Sequence, residues 1–380
     1  MKRKAAISIF MAAALCFAAF AAGCQTTAPT PTAQPAATPE QQAAAEEQPT
    51  AAPEQQAETS APADESIRVA LVSGLMGDKS YNDSCMEGAQ RAVADFGVDL
   101  TVLEGASAVE HESNFLAAAS GGYDLVICAS SDFQEYLIEH HTAFPDVKFA
   151  IIDTVVEGPN VVSISFAQNQ GSFLAGAAAA MWTTQTEIPG VNEDKIIGWV
   201  GGMDIPVLHD FFTGYEYGAK YIDPDIEIFQ AFAGSWNDPL KGKELTLGFY
   251  EMGADIVMNV ASGTGNGVLE AAAEADRYAI GVDLNQDNDQ PGAVLTSMLK
   301  RVDNACYLLI ESVVKSTFQG GSTEYLDIVK GGVSLTDFSV MKAHLGGVFP
   351  DDILDRIAEL EQKVISGEII VPNFTGFGPR

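Results

Sequence analysis

From residue 67 onward, short apolar runs alternate with amphipathic stretches of helical period, and nearly every apolar run ends in a cluster of glycine and polar side chains. Repetition of strand, loop and helix leaves few folds open, chief among them a parallel sheet covered by helices on both faces. The first unit sets the pattern: a buried-type strand over 67–72, a loop holding Gly74 and Gly77, the run Asp78, Lys79, Ser80, Tyr81, Asn82, Asp83, then a helix to about Phe96. In an open α/β sheet, the position just past the carboxyl end of a strand is where ligands dock. Ser80 or Asn82 alone would cap the helix. Six polar or aromatic residues in a row exceed what a cap requires, so the stretch reads as a binding loop that also caps its helix.

Further strands are expected at 100–103, 125–129, 149–152 and 161–165, with helices at 110–119, 133–144 and 171–182. A second series follows, with strands at 196–200, 226–232, 256–260 and 279–282 and helices at 208–221, 240–252 and 267–275. A strand over 294–297 and a helix over 303–316 are placed to cross back, and 351–365 forms a late amphipathic helix. About 315 residues exceed one ordinary core. The fold expected is therefore α/β, with two doubly wound parallel-sheet lobes joined by a crossover hinge. The first lobe spans about 66–184 plus a late crossover segment, and the second about 185–300 plus the C-terminal segment. Two such lobes enclose a cleft, the architecture of exported solute receptors.

Ahead of this lies a different kind of sequence. Lys2, Arg3 and Lys4 precede an apolar run to Ala22, the pattern of a cleaved export signal over 1–23. Its end, Ala21-Ala22-Gly23-Cys24, resembles a bacterial lipobox, which makes Cys24 the expected lipidation site and membrane anchor. Residues 24–65 are rich in Ala, Pro, Thr, Gln and Glu, the composition of a disordered tether. The formal charge of −32 includes +3 from the three basic residues of the signal and −7 from seven tether carboxylates, which leaves −28 on the rest. Such a surface repels nucleic-acid phosphates and anionic lipid, so no nucleic-acid partner is expected. Cys85, Cys128 and Cys306 are scattered as small core residues, without disulfide or metal spacing. The histidines (His111, His140, His141, His209, His344) show no zinc spacing, and His140-His141 reads as a solvated helix end. No metal or cofactor is expected.

Polar clusters recur at strand ends. Ser130, Ser131 and Asp132 follow one strand and Asp153 another, each aspartate serving equally well as a cap or as a ligand contact. Trp236, in a loop of glycine and polar residues, is suited to stacking on a planar ligand, with packing under the hinge as the other reading. Gly263, Gly265 and Gly267 lack the full dinucleotide fingerprint, but their amides suit sugar hydroxyls. Asp283 ends a strand and Lys300 follows shortly after. A carboxylate accepting from paired hydroxyls beside a donating lysine suits ribose, and a plain Asp283–Lys300 ion pair is the alternative.

Taken together, the segments GDKSYNDSCMEG, FLAGAAAA, GWVGGMDIPV, AFAGSWNDPLKGKEL, GTGNGVLEAA, GVDLNQ and LTSMLKRVD closely resemble the basic membrane protein family of lipoproteins, substrate-binding components of ABC importers similar to purine nucleoside receptors. The resemblance covers nearly all of 67–370. It implies a type I periplasmic-binding fold closing on a nucleoside, with permease and ATPase subunits as partners. It also implies that Asp78, Tyr81 and Asn82 meet the base, with Tyr81 where the family usually has phenylalanine and Asp132 a further contact. Trp236 would be the opposing aromatic face, and Gly263, Asp283 and Lys300 would address the sugar. Two departures bear on specificity: Ser73-Gly74 where many members have an aspartate, and Asn285 in place of a second acid. Another ribosyl-like or sugar solute is an alternative ligand. A nucleoside hydrolase would use similar carboxylates, yet the dense aspartate run of its calcium site is missing, as is a nucleophile elbow. A surface antigen using the lobes as scaffold is the third reading.

Overall fold

The structure, a computed structural model, describes residues 66–376; the expected signal, Cys24 and the tether lie outside the described residues. The first lobe is built from β1 (Arg68–Ser73), α1 (Tyr81–Phe96), β2 (Asp99–Glu104), α2 (Ala108–Ser120), β3 (Leu125–Cys128), α3 (Gln134–His140), β4 (Lys148–Ile152) and β5 (Val161–Phe166). Helix α4 (Gln168–Trp182) leads into the second lobe. There β6 (Ile196–Gly201), β7 (Glu227–Phe232), β8 (Ala254–Val260), β9 (Tyr278–Asp283) and β10 (Val294–Lys300) alternate with α5 (Pro206–Ile222), α6 (Pro239–Glu251) and α7 (Gly265–Glu274). Helix α8 (Val302–Val314) and β11 (Thr323–Leu326) return to the first sheet, and β12 (Val333–Leu335), α9 (Ser339–Leu345) and α10 (Asp352–Ile365) close the second.

The strand orders β11-β5-β4-β3-β1-β2 and β12-β10-β9-β8-β6-β7 are the same doubly wound arrangement used twice. Among the described residues, only the β10–β12 pair is antiparallel. The central strands β3, β6, β8 and β9 are buried along their whole length, because helices cover both faces of each sheet. Local chemistry agrees with the tertiary result at the helix starts. Ser107 accepts from the Glu110 amide while Glu110 reaches back to the Ala106 amide, a capping box for α2. Helices α5 and α6 begin on Pro206 and Pro239, where a missing N–H costs nothing.

Two sequence expectations are corrected here. Helix α4 does not belong to a first lobe ending near 184: it packs on α5 and α10 and against β10 and β12, so the boundary falls near residue 167. Conversely α8 packs on α1 in the first lobe, and each lobe thus takes a helix from the far side of a crossover. His141 is buried, its Nδ1 3.0 Å from Asn160 Oδ1, and is no solvated end. The short strand β11 escaped the sequence reading because its mostly exposed residues, TEYL, carry no apolar alternation.

Helix α4 is buried on every side, with only Gln170 and Met181 reaching partial exposure. It is admitted by small residues. A β-carbon on Gly176 would lie 2.0 Å from the Tyr215 carbonyl oxygen, and one on Gly218 1.9 Å from that of Phe173, so the α4 and α5 backbones are nearly in contact. Gly218→Ala therefore forces the two helices apart. We expect it to lower stability by about 1–3 kcal/mol, read by urea unfolding of the full chain, and an unchanged midpoint would contradict this packing.

Candidate functional site

The carboxyl ends of both sheets face one another across a cavity lined from both lobes. Every strand from β1 to β4 and from β6 to β10 sends residues into it. Gly74, Leu75, Tyr81 and Asn82 follow β1, Gly105 and Ala106 follow β2, and Ser130, Ser131 and Asp132 follow β3, with Asp153 after β4. From the second lobe come Ile205, Leu208 and Phe211, then Trp236, Ser262, Asp283 and Lys300. This is the switch-point location expected for doubly wound sheets, supplied here from two sides.

Of the residues singled out in the sequence, the structure brings Tyr81, Asn82, Asp132, Trp236, Asp283 and Lys300 to one cavity. Tyr81 and Trp236 reach it from opposite lobes. The cavity also admits them through two bare backbones: a β-carbon at Gly202 would strike the indole at 2.4 Å, and one at Gly74 would come within 3.0 Å of the Asn82 amide. The Asn82 Nδ2 donates to Asp78 Oδ2 at 2.9 Å, which leaves its Oδ1 as an acceptor.

Asp78 and Gly263 do not line the cavity. Asp78 is 3% exposed, and its carboxylate accepts from the Ser80, Asn82 and Asp83 amides and from Ser262 Oγ at 2.6 Å. The α1 start is therefore capped by Asp78, rather than by the side chain of Ser80 or Asn82, because its two oxygens reach the Ser80 amide and two first-turn amides at once. The glycine series is likewise structural. Side chains at Gly265 and Gly267 would collide with Asn259 Oδ1 and the Pro239 carbonyl, at 2.1 and 1.8 Å, so these glycines let α7 approach its neighbours. Asn285 is exposed and accepts from the Asp287 amide, a turn residue with no part in the cavity.

The charged groups of the site are organised by Lys300, 1% exposed at the end of β10. Its partner is Asp153 of the other lobe, with Nζ 2.6 and 2.7 Å from the two carboxylate oxygens, and the Asp283–Lys300 pair considered above is not formed. The ammonium also lies 5.5, 5.3 and 5.1 Å from the ring centres of Tyr81, Phe166 and Phe211, within cation–π range. Asp283 instead accepts from Ser80 Oγ at 2.6 Å. His111 enters from α2, its Nε2 2.9 Å from the Gly105 carbonyl, which makes that nitrogen a donor.

Sequence reasoning had Asp153 only as a strand-end aspartate and did not single out Phe211, Ser262 or His111. A signal existed for Asp153, which follows its strand as Asp132 follows another. The backbone carried none: Lys79, Asp153, Ser262 and Asp283 all adopt left-handed φ values (54°, 71°, 52° and 65°). Non-glycine residues held there cost free energy and gather at functional sites. The arrangement offers aromatic residues from both lobes and, next to Tyr81, a buried ammonium with carboxylates.

Burial lifts the Asp283 carboxyl from 3.8 to about 7, against the pull of Lys300 and the Ser80 hydroxyl. The native state then keeps a proton that the unfolded chain releases near pH 4. This group's contribution to stability consequently falls as pH rises from about 4 to about 7, by up to ~1.4 kcal/mol per pH unit. Asp283→Asn removes that slope, so melting temperatures of variant and parent should diverge in the variant's favour across the window. Parallel pH profiles would contradict the assignment.

The model of the Bmp family, described as "ABC transporter substrate-binding protein PnrA-like", matches residues 67–375. Basic membrane protein A2 of Borrelia garinii subsp. bavariensis is 31% identical over 309 residues, 80% of this chain and 87% of that protein. The "ABC transporter nucleoside-binding protein BmpA" of Lactococcus lactis is 30% identical over 339 residues, 83% and 92% of the two chains. Among solved structures, a solute-binding protein of an ABC transporter system from Aeropyrum pernix superposes with a TM-score of 0.73 at 31% identity, covering 80% of this chain and 94% of that one.

Proposed function

This chain belongs to the Bmp family of PnrA-like ABC transporter substrate-binding proteins, and on that premise we propose that it captures a nucleoside, with purine nucleosides the favoured class. The observation that carries the reading is the make-up of one lining: Tyr81 and Trp236 from opposite lobes, together with Asp283 and with Lys300, whose ammonium lies 5.5 Å from the Tyr81 ring centre. Aromatic faces suit a base, and a carboxylate beside an ammonium suits ribose hydroxyls. The name of the Lactococcus relative, a nucleoside-binding protein, supports the same class. The protein is a receptor rather than an enzyme in this reading. It delivers its ligand to permease and ATPase subunits from the extracytoplasmic face, held to the membrane by lipid on Cys24.

Binding follows from differential contact. A ligand touching both lobes favours the closed form over the open one by the difference in its affinity for the two, and the closed form is what a permease distinguishes. Asn82 Oδ1 and the Asp132 carboxylate offer acceptors to base N–H groups, and Asp283 with Lys300 receives the sugar.

The reading is tested by calorimetric titration of the full chain with adenosine, guanosine, inosine, cytidine, uridine and ribose. Saturable binding of a nucleoside without turnover is expected. Trp236→Ala should weaken it by about 2 kcal/mol, roughly thirtyfold, through lost stacking. Binding of ribose alone, or of no nucleoside, would overturn the reading. The chain's net charge of −32 repels phosphate, so AMP should bind more weakly than adenosine; the reverse order would contradict this part of the account.

A further inference from the structure

Along the edge of the cavity, the loop after β1 is joined to the second lobe by a set of direct hydrogen bonds. Asp78 Oδ2 accepts from Ser262 Oγ at 2.6 Å, and the Asp78 carbonyl accepts from Asn266 Nδ2 at 3.1 Å. The next carbonyl, that of Lys79, accepts from Gln286 Nε2 at 2.9 Å, and Ser80 Oγ donates to Asp283 at 2.6 Å. Three consecutive residues of one lobe thus bond to four residues of the other. The exposed Lys79–Asp289 pair, 3.7 Å apart, lies at the edge and adds little.

The two sides are shaped for this contact. Asp78 is held by three amides at the start of α1, so its second task of accepting from Ser262 needs no further ordering. Gln286 is 1% exposed, and its Oε1 accepts from Asn259 Nδ2 at 3.1 Å and from the Val282 amide at 2.9 Å. Its amide is therefore fixed with the N–H₂ directed at the opposite lobe. Lys79, Ser262 and Asp283 all take left-handed backbone conformations at the contact, which bulky residues avoid unless surrounding structure imposes them. Asn266 and Gln286 do not line the cavity.

We propose that this clasp, centred on Asp78 and reached by Asn266 and Gln286 from outside the cavity, is a positioning device that sets how readily the lobes close and thereby sets ligand affinity. The closed fraction multiplies the intrinsic affinity, so a residue that never touches ligand changes the apparent Kd through closure alone. Loss of one clasp bond is expected to raise Kd about fivefold to tenfold, expressed in faster dissociation while association changes little. The affinity half rests on the nucleoside reading; the closure half does not.

The test uses the full chain and two variants, Asn266→Ala and Gln286→Glu. The first removes a half-exposed donor with little risk to folding. The second keeps the Oε1 acceptor and sets an oxygen against the Lys79 carbonyl. Amide hydrogen exchange is followed first with no nucleoside added. Both variants should speed exchange severalfold in the segments 78–84 and 262–287, with the central strands β1 and β6 unchanged. Equal exchange in parent and Asn266→Ala would overturn the clasp. Titration with the best-bound nucleoside then follows, and faster exchange with unchanged Kd and dissociation rate would overturn the link to affinity. If the parent binds no nucleoside, the ligand reading fails on its own, and the exchange result still decides whether the clasp governs closure.

Discussion

The Lys300 ammonium lies 1% exposed between the two lobes, and an unpaired charge in that position would cost several kcal/mol. Its charge is met from across the cleft by both oxygens of Asp153 and by the faces of Tyr81, Phe166 and Phe211. Because the ammonium sits on β10 and its carboxylate follows β4, pairing requires that the lobes be together. Asp153 reaches its position through a left-handed backbone at φ 71°. Closure is in this way coupled to the neutralisation of a buried charge. A hydroxylated ligand inserted beside the pair would find donors and acceptors already oriented, with little reorganisation left to make.

The Asp283 carboxyl is raised by burial and by the proximity of Asp78 and Asp153, and lowered by Lys300 and Ser80. Asp78 and Asp153 both press on Asp283, a crowding tolerable because hydrogen bonds divide the load: Asp78 on backbone amides, Asp153 on the lysine, Asp283 on a hydroxyl of the opposite lobe. The same network joins the sheets. Chemistry around Lys300 and mechanics of closure are therefore carried by neighbouring atoms, with Tyr81 and Trp236 adding aromatic surface to the same lining.

Much of this was readable along the chain. All ten strands expected from apolar runs are present, because central strands of a parallel sheet are buried on both faces and must be aliphatic. Six of the eight residues expected at a ligand line the cavity, since polar clusters just past strand ends have no packing purpose there. The failures have physical causes. Asp78 has the residue type of a ligand contact but serves helix amides and the far lobe. The glycines at 263, 265 and 267 match a binding-loop spacing, yet 265 and 267 are small so that α7 can approach its neighbours. Helix α4 reads as part of the first lobe because it follows β5, but Gly176 fits it against α5 and Gly171 against β10 and β12.

What the sequence by itself determined is the repeating strand and helix order, the two-lobe count and the presence of polar clusters at strand ends. These follow from local periodicity and from the burial that each period demands. Only the tertiary structure decided which clusters face one cavity and that Lys300 pairs with Asp153 rather than Asp283. It alone showed that Asn266 and Gln286 meet carbonyls some two hundred residues away. The reason is geometric: partners brought together by crossovers leave no spacing signature, and a left-handed backbone at Lys79, Asp153, Ser262 or Asp283 is imposed by neighbours that only the folded chain assembles.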